Sequence, residues 1–311
     1  MLLEDLQVIL KVAEFRSITA AATHLNMRTA TASAAVKRVE ASLGVELFVR
    51  TTRQLRLSKA GERYIPQCEQ AMQLLDSAKQ NMQHDLGKIE GELRISVSSD
   101  LGRNVIIPWI DEFMEMHPGL TLKAHLSDSN VDFYRDSVDM AVRYGSPTDA
   151  HLYGFKIADI PRALCATPTY LKQHGIPTHP NDLIHHNGLH FQLSDMVHDT
   201  WRFTETNGNK ETEYKVKLKS NRTANDGDLV RRWCVKGYGF SSKSILDMSD
   251  DLLAGRVVHV MPEFTLVSTE MWFVCPSRQS ITPAMRLLRD HFRTKVEQRL
   301  KELRDHQILP S

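Results

Sequence analysis

Apolar positions near the start of the chain follow helical spacing. In residues 2–15 and 29–43 they recur every three or four positions, which predicts two amphipathic helices. Ser17 is a suitable N-cap for a short alanine-rich helix between them, and Gly44 supplies a C-cap for the later helix. The short break at residues 26–28 therefore predicts a helix-turn-helix, whose second helix can enter the major groove of DNA.

The next two segments predict a hairpin and a long helix. Residues 45–57 have apolar ends, and their basic tip carries Arg50 and Arg53, which predicts a β-hairpin wing that contacts phosphates. Residues 58–86 are helical in pattern, and we expect Pro66 to kink or restart this helix. Its apolar residues lie mostly three or four positions apart: Ile65, Cys68, Met72, Leu75, Met82 and Leu86. Such a seam predicts a partner helix, and a core helix packed on its own domain is the alternative.

From residue 92 onward, strands and helices alternate. Strands are predicted at residues 93–97, 120–126, 138–143, 162–166 and 271–275, and helices at 102–117, 168–174 and 281–303. This alternation predicts an α/β body with parallel sheets. Because about 220 residues exceed the commonest domain size, we expect two lobes.

Charge is distributed unevenly along the 311 residues. The whole chain has a formal net charge of +1, but residues 1–64 carry ten Lys or Arg against six Asp or Glu. The remaining residues carry 29 basic and 32 acidic side chains. We therefore expect an anionic partner for the first module alone.

Several other classes of protein are disfavoured by the sequence. No run of about 18 apolar residues could span a membrane, and the N-terminus has no basic, apolar leader, so we expect a cytoplasmic protein without a membrane partner. Four cysteines far apart, without C-x-x-C, predict reduced thiols, and a small buried hydrophobe is a better interpretation of Cys234 than a redox switch.

Motifs for catalysis, metals and nucleotides are also missing. Serine-hydrolase, zinc-protease and P-loop motifs are absent, so no catalytic residue is predicted. Gly237-Tyr-Gly239 is half of a dinucleotide fingerprint and is better explained as a turn. His185, His186 and His190 are better explained as solvated or core histidines than as a metal site, so we expect neither metal nor cofactor.

Residues 16–61 carry a specific set of motifs. They are Ser17-x-Thr19-Ala-Ala-Ala, Leu25, Ala32-Ser33, Val36, Arg38-Val39-Glu40, Leu43-Gly44-Val45, Leu47-Phe48-x-Arg50-Thr51-x-Arg53 and Leu57-Ser58-x-Ala60-Gly61. The body adds residues 139–143, 164–171, 237–239 and 252–258. With these motifs, nearly the whole chain resembles a LysR-type transcriptional regulator.

The resemblance implies an N-terminal all-α winged helix-turn-helix with a long linker helix, followed by a two-lobed α/β effector-binding domain like a periplasmic binding protein. The expected bounds are 1–58 for the DNA-binding domain, 59–88 for the dimerising helix and 89–311 for the effector-binding domain. Within the last, lobe I comprises about 92–161 and 268–300, and lobe II about 162–267. It also implies a homodimer or homotetramer on an interrupted dyad of double-stranded DNA, with RNA polymerase as a further partner.

The recognition helix departs from the family pattern. The family often has Ser-Gln-Pro-Ala at its start, where this chain has Arg28-Thr29-Ala30-Thr31, and Ala34 follows Ser33 in place of a basic residue. These changes alter the groups that would meet base edges. The residues expected on DNA are Arg28, Thr29, Thr31, Ser33 and Lys37 at the major groove, and Arg50 and Arg53 on phosphates.

An effector site is predicted where strands end, because ligands of α/β sheets bind outside the carboxyl ends of strands. Ser98, Ser99, Asp100 and Leu101 follow the first strand, Ser129 and Asn130 the second, and Arg143 and Tyr144 the third; lobe II adds Asn225, Asp226, Ser241 and Ser242. Helix N–H groups, hydroxyls and Arg143 favour a small carboxylate as the ligand. The Asp100 carboxylate would repel an anion, so a zwitterion or a neutral polar ligand is the alternative. Alternatively, Ser98 and Ser99 only cap the helix and Arg143 pairs with an acid of its own lobe.

The sequence therefore predicts a DNA-binding transcription factor that responds to a small molecule bound between two lobes. The alternative is a two-lobed small-molecule-binding protein or enzyme fused to a helix-turn-helix module. The missing leader disfavours transport, and the missing catalytic motifs disfavour an enzyme.

Overall fold

A computed structural model describes residues 2–50, 55–85, 89–129, 132–133, 136, 138–147, 149, 152–193, 195–208 and 210–309. The chain divides into two compact units. The first is Met1–Met82, and the second combines Gln83–Phe133 with Ser137–Ser311. Each unit is described by itself.

The first unit is a three-helix domain with a hairpin and a long helix. Its elements are α1 (Leu3–Phe15), α2 (Ile18–His24), α3 (Thr29–Leu43), β1 (Phe48–Arg50), β2 (Leu55–Leu57) and α4 (Lys59–Asp85). The Ser17 hydroxyl caps α2 by accepting from the Ala20 N–H at 3.2 Å, as its position predicts. Gly44 ends α3 with φ +70°, a left-handed conformation that glycine adopts without strain.

The core of this unit is formed by one face of each helix. Val8, Ile9, Val12, Ala21, Ala22, Ala32, Ala35, Val36 and Val39 are buried together. The Glu40 carboxylate accepts from the Leu47 N–H at 2.8 Å and so ties α3 to the hairpin. A Cβ on Gly61 would lie 2.2 Å from the Leu47 carbonyl oxygen, so α4 approaches the hairpin too closely for any other residue there.

The long helix differs from its sequence-based prediction in two respects. It runs from Lys59 to Asp85 without interruption at Pro66, because one lost N–H is a small part of a 27-residue hydrogen-bonded helix. Ile65 and Cys68 are buried in the core of the first unit, so the start of the predicted seam packs within its own domain. Further along, Leu75 and Met82 are 51% and 63% exposed. Leu86 lies outside the described residues.

The second unit contains a five-stranded sheet in the order β4-β3-β5-β16-β6. These strands are β3 (Glu90–Val97), β4 (Gly119–Leu126), β5 (Met140–Tyr144), β6 (Tyr153–Ile160) and β16 (Thr269–Cys275). β3 pairs in parallel with β4 and β5, whereas β16 pairs antiparallel with β5 and β6. We call this sheet, with α5 (Ser99–Leu101), α6 (Ile107–Met116) and α10 (Pro283–Asp305), lobe I.

Residues 162–266 form three smaller sheets, which we call lobe II together with their helices. The strands are β7 (Arg162–Ala166), β8 (Asn187–Leu193), β9 (Met196–Val197), β10 (Thr200–Asn207), β11 (Lys210–Lys217), β12 (Lys219–Ala224), β13 (Ser241–Ser244), β14 (Val258–His259) and β15 (Phe264–Leu266). The helices are α7 (Pro168–His174), α8 (Gly227–Val235) and α9 (Ser249–Leu253), with a 3₁₀ turn at Pro180–His185. The chain crosses between the lobes at Pro161 and again at residues 267–268.

Parallel pairing was predicted throughout the body, and for most of lobe II that prediction is wrong. Within the described residues, β8–β12 is the parallel pair of strands there, and the other strand pairs are antiparallel. The difference arises because β10 and β11 join through a short turn, which produces a hairpin rather than a helical crossover.

The helix after β3 begins earlier than its apolar pattern predicts. It opens at Ser99 and passes through a π-helical turn, Gly102–Ile106, before α6. Its N-terminus therefore lies directly at the carboxyl end of β3.

Candidate DNA-binding surface and effector cavity

The outer face of α3 is free for contact with a ligand. Arg28, Thr29, Thr31 and Lys37 are exposed and Ser33 is half-buried, while the opposite face of the helix packs into the core. Arg28 and Lys37 make no ion pair within the described part of the chain. Arg53 lies outside the described residues, and the side chain of Arg50, at the end of β1, is also not described.

The second basic residue of α3 is neutralised by its own domain. Arg38 donates to the buried carboxylate of Asp5 at 2.5 Å and 3.2 Å. The hydrogen bond from Arg38 lowers the pKa of Asp5, which keeps this carboxylate ionised. Arg38 therefore fixes α3 against α1. The uncompensated positive charge is that of Lys37 on α3 and of Arg28, which lies at the N-cap position of this helix.

A cavity of about 640 Å³ opens between the two lobes of the second unit. This volume is typical of small-molecule sites. Five of the predicted effector residues line it: Ser98, Asp100, Arg143, Tyr144 and Ser242.

The other predicted effector residues lie elsewhere. Ser99 and Leu101 are buried beneath the wall, and Ser241 is fully buried on β13. Ser129 is exposed and hydrogen-bonded to Ser127, and Asn130 lies outside the described residues. Asn225 is exposed, and Asp226 caps α8 by accepting from the Leu229 N–H at 2.9 Å. These residues are separated from the cavity because only some side chains at a strand end point towards the facing lobe.

The alternative in which Ser98 and Ser99 only cap the helix is wrong. The Ser98 side chain makes no capping hydrogen bond. Ser99 instead binds the Asp128 carboxylate through both its N–H, at 2.8 Å, and its hydroxyl. Arg143 donates to the Ser127 carbonyl at 3.0 Å and to the Ser96 hydroxyl at 2.9 Å.

A buried charge cluster joins the lobes at the base of the cavity. Lys243 of lobe II forms an ion pair with Asp100 of lobe I, and its Nζ lies 3.8 Å from Asp247. Tyr144 of lobe I donates to Asp247 at 2.8 Å. Burial raises the pKa of Asp100 to about 7 even though Lys243 opposes the shift. Burial raises the pKa of Asp247 as well.

Sequence reasoning missed most of the lobe II wall. The missed cavity residues are Asp128, Arg162, Leu189, Phe191, Leu193, His198, Thr200, Trp201, Arg202, Gly227, Val230, Lys243, Ser244, Asp247, Leu266, Val267, Ser268 and Thr269. The sequence contained a feature that could have identified two of these residues, Lys243 and Arg162. Lys243 interrupts a stretch that is otherwise apolar or small, and Arg162 directly follows Pro161, where the chain changes lobes.

The cysteines and histidines form no second site in the described residues. Cys68, Cys165, Cys234 and Cys275 are buried free thiols. Burial raises the pKa of Cys234 to about 12, so this thiol stays protonated and unreactive at neutral pH. No group of three or more His, Cys, Asp or Glu side chains could hold a metal ion in the described ranges.

Comparison with known families accounts for both units. Residues 3–62 match the family described as bacterial regulatory helix-turn-helix protein, lysR family, and residues 87–297 match the LysR substrate binding domain. The chain belongs to the LysR family of transcriptional regulators. It is therefore a DNA-binding regulator with an effector-binding domain, and not an enzyme.

Individual LysR relatives match along nearly their whole length. The regulator DmlR of Escherichia coli K12 is 31% identical over 298 residues, 94% of each chain. The activator TtdR of the same strain is 29% identical over 277 residues, 88% of this chain and 86% of TtdR. Such LysR-type regulators bind DNA and act as oligomers.

Solved LysR structures share the fold. CrgA of Neisseria meningitidis is 27% identical, with a TM-score of 0.56, over 95% of this chain and 98% of that chain. The structure of LysG of Corynebacterium glutamicum, solved with bound effector Arg, is 18% identical in sequence and has a TM-score of 0.59. The match covers 96% of this chain and 99% of LysG. Among the described residues, no helix is both long enough and apolar enough to cross a membrane.

Proposed function

We propose that this LysR regulator responds to a small carboxylate or zwitterion that binds in the cavity between the lobes. The observation that carries this proposal is the lining of the cavity, which combines Ser98, Arg143 and Tyr144 of lobe I with Ser242 and Lys243 of lobe II. Convergent hydroxyls and cations suit an anionic group. LysG, which shares the fold, is described with bound effector Arg, so an amino acid belongs among the candidates.

Contacts across the cavity support a response to the ligand. Asp100 and Lys243 pair across the lobes, and Tyr144 binds Asp247 across them as well. A ligand that enters here competes with these bonds or adds to them, and so changes the relative free energies of open and closed arrangements. A ligand that made no such differential contacts would shift nothing.

The proposed DNA partner is an interrupted dyad, bound by a homodimer or a homotetramer that also contacts RNA polymerase. The exposed apolar residues of α4, Leu74, Leu75 and Met82, support pairing between copies of this helix. Twofold pairing presents two recognition helices to two half-sites, as symmetric dimers of helix-turn-helix proteins do.

Calorimetric titration of the full-length protein with small carboxylates and amino acids tests the effector site. We expect at least one compound to bind the wild type and to bind Arg143→Ala about tenfold more weakly, since a cationic hydrogen-bond donor is lost. Arg222→Ala is the matched control, because Arg222 lies over the Tyr238 ring and does not line the cavity. Equal affinities of the wild type and Arg143→Ala would place the effector elsewhere.

A further inference from the structure

Arg162 stands out among the charged groups of the cavity. It begins β7, directly after the first crossover between the lobes, and its half-buried side chain lines the cavity. One terminal nitrogen donates to the Ser242 carbonyl at 2.7 Å and lies 3.5 Å from the Ser242 hydroxyl. Within the described chain no carboxylate lies within ion-pair distance of Arg162, although the negative charge of Asp247 acts on it from further away.

The remaining cations of the cavity already have partners. Lys243 is held by Asp100 and Asp247, and Arg202 lies 3.8 Å from Glu213. Arg143 is engaged by Ser96 and Ser127. Burial followed by the nearby charge of Arg162 lowers the pKa of His198, which is therefore neutral at pH 7. Among the lobe II cations that line the cavity in the described chain, Arg162 is thus the one without an ion pair, and it is the one best placed to gain an anionic partner from a ligand.

The carboxylates of the cavity have partners too, which disfavours the ammonium group of a zwitterion. Asp100 and Asp247 share Lys243. Asp128 accepts from the Ser99 N–H and from the Gly227 N–H, each at 2.8 Å. An amino acid would therefore have to break one of these arrangements to place its ammonium group, whereas a monoanion would not.

Lobe II adds an apolar wall to the same cavity. It is formed by Leu189, Phe191, Leu193, Trp201, Leu266 and Val267. The Trp201 indole N–H is already donated to the His198 carbonyl at 3.3 Å, so Trp201 offers hydrocarbon surface to a ligand. Leu193 is 38% and Val267 64% exposed, so this wall has apolar surface left to cover.

We propose that the cavity takes an amphipathic monocarboxylate, whose carboxylate pairs with Arg162 and whose aromatic or alkyl body lies on this apolar wall. The inference rests on the proposed function and narrows its ligand class. The planar guanidinium matches a carboxylate with two parallel hydrogen bonds, a geometry that lysine cannot offer. Arg162 is a specificity-determining residue in this arrangement, because a cation without an ion pair gains more from an anionic ligand than from a neutral one.

The test is a titration of the full-length protein with four probes: 3-phenylpropanoate, its neutral amide 3-phenylpropanamide, the dianion succinate and the zwitterion arginine. We expect 3-phenylpropanoate to bind about tenfold more tightly than any of the others. Tighter binding of succinate or arginine would overturn the inference but leave the proposed function standing. Absence of binding by 3-phenylpropanoate at 10 mM would overturn it as well, whereas the proposed function is judged by the separate Arg143→Ala titration.

Variants distinguish the two halves of the site. Arg162→Met should lower the affinity for 3-phenylpropanoate about tenfold or more and leave the affinity for the amide unchanged. Arg162→Lys should bind 3-phenylpropanoate little better than Arg162→Met does. Leu193→Ser, at the exposed rim, should weaken 3-phenylpropanoate but not succinate, and it keeps the test informative if Arg162→Met does not fold. The control is Arg222→Met, which removes a cation of lobe II outside the cavity. Unchanged affinity for 3-phenylpropanoate in a folded Arg162→Met would show that Arg162 is not the anchor.

Discussion

Replacement of Lys243 by methionine removes an ammonium group that two buried carboxylates share. The side chains of Lys243, Asp100 and Asp247 are only 11%, 4% and 5% exposed. Loss of one partner from a buried ion pair costs ~3–5 kcal/mol, because the remaining carboxylates must either stay charged without compensation or take up protons. We expect a loss of that size in the unfolding free energy at pH 7.5.

The pH dependence of this loss is the sharper part of the prediction. In the wild type the pKa of Asp100, about 7, lies above its unfolded value of 3.8, so the native state holds more protons between these values. The contribution of Asp100 to stability therefore falls as pH rises from about 4 to 7 and then levels off. Without Lys243 both carboxyl groups keep their protons to higher pH in the folded protein. Each such group lowers the unfolding free energy by ~1.4 kcal/mol for every further pH unit, because it is already ionised in the unfolded chain. Lys243→Met should thus continue to lose stability between pH 7 and 8.5.

Asp100→Asn provides a contrast within the same cluster. Lys243 retains Asp247 at 3.8 Å, so its charge stays compensated. We expect Asp100→Asn to lower the unfolding free energy by less than half as much as Lys243→Met does. Its stability should also depend less on pH between about 4 and 7 than that of the wild type, since the titrating carboxyl group is gone.

Urea unfolding followed by tryptophan fluorescence is the appropriate assay. All four tryptophans, Trp109, Trp201, Trp233 and Trp272, belong to the second unit, so the signal reports that unit within the full-length chain. The control is Lys172→Met, which changes an exposed lysine of α7. A loss below ~1 kcal/mol at pH 7.5, or a pH profile parallel to that of the wild type, would refute the shared role of Lys243.

Three further predictions concern the first unit. Gly61→Ala places a Cβ 2.2 Å from the Leu47 carbonyl oxygen, and should lower the thermal midpoint of the helical circular dichroism signal through a loss of about 2 kcal/mol. Lys37→Ala should reduce the salt dependence of operator binding by about one counterion in a gel-shift series, whereas Lys172→Ala should not. Leu75→Glu should convert the oligomer to monomer by light scattering, since a charge replaces an exposed apolar residue of α4, and an intact oligomer would place the interface elsewhere.

Local rules predicted the first unit closely because its elements are set by their own residues. The observed bounds of α3 are the predicted ones, and the caps at Ser17 and Gly44 are formed as expected. The seam predicted on α4 was wrong at its start, and for Leu75 and Met82 it stays a prediction. Helical spacing gives the apolar face of a helix but not the surface that covers it, and Ile65 and Cys68 turn out to face their own domain.

Only part of the cavity lining was predicted, because local sequence patterns do not show which surfaces come to face each other. The strand-end rule found Ser98, Asp100, Arg143 and Tyr144, because each lies at a position that one strand defines. Arg162 and the apolar wall depend instead on how separate sheets face each other, which no local pattern encodes. One signal was overlooked. The alternation of Trp201 and Phe203 with polar neighbours is a strand pattern, and it marks the hairpin strand that carries Trp201.

Footprinting of the DNA upstream of genes bound by the full-length protein, with and without 3-phenylpropanoate, tests the central claim most directly. We predict protection of two half-sites related by a dyad, separated by about one helical turn or a multiple of it, and a change in the protected region when the carboxylate is added. Protection of no defined segment, or of a single half-site that the carboxylate leaves unchanged, would contradict a dimeric regulator controlled through this cavity.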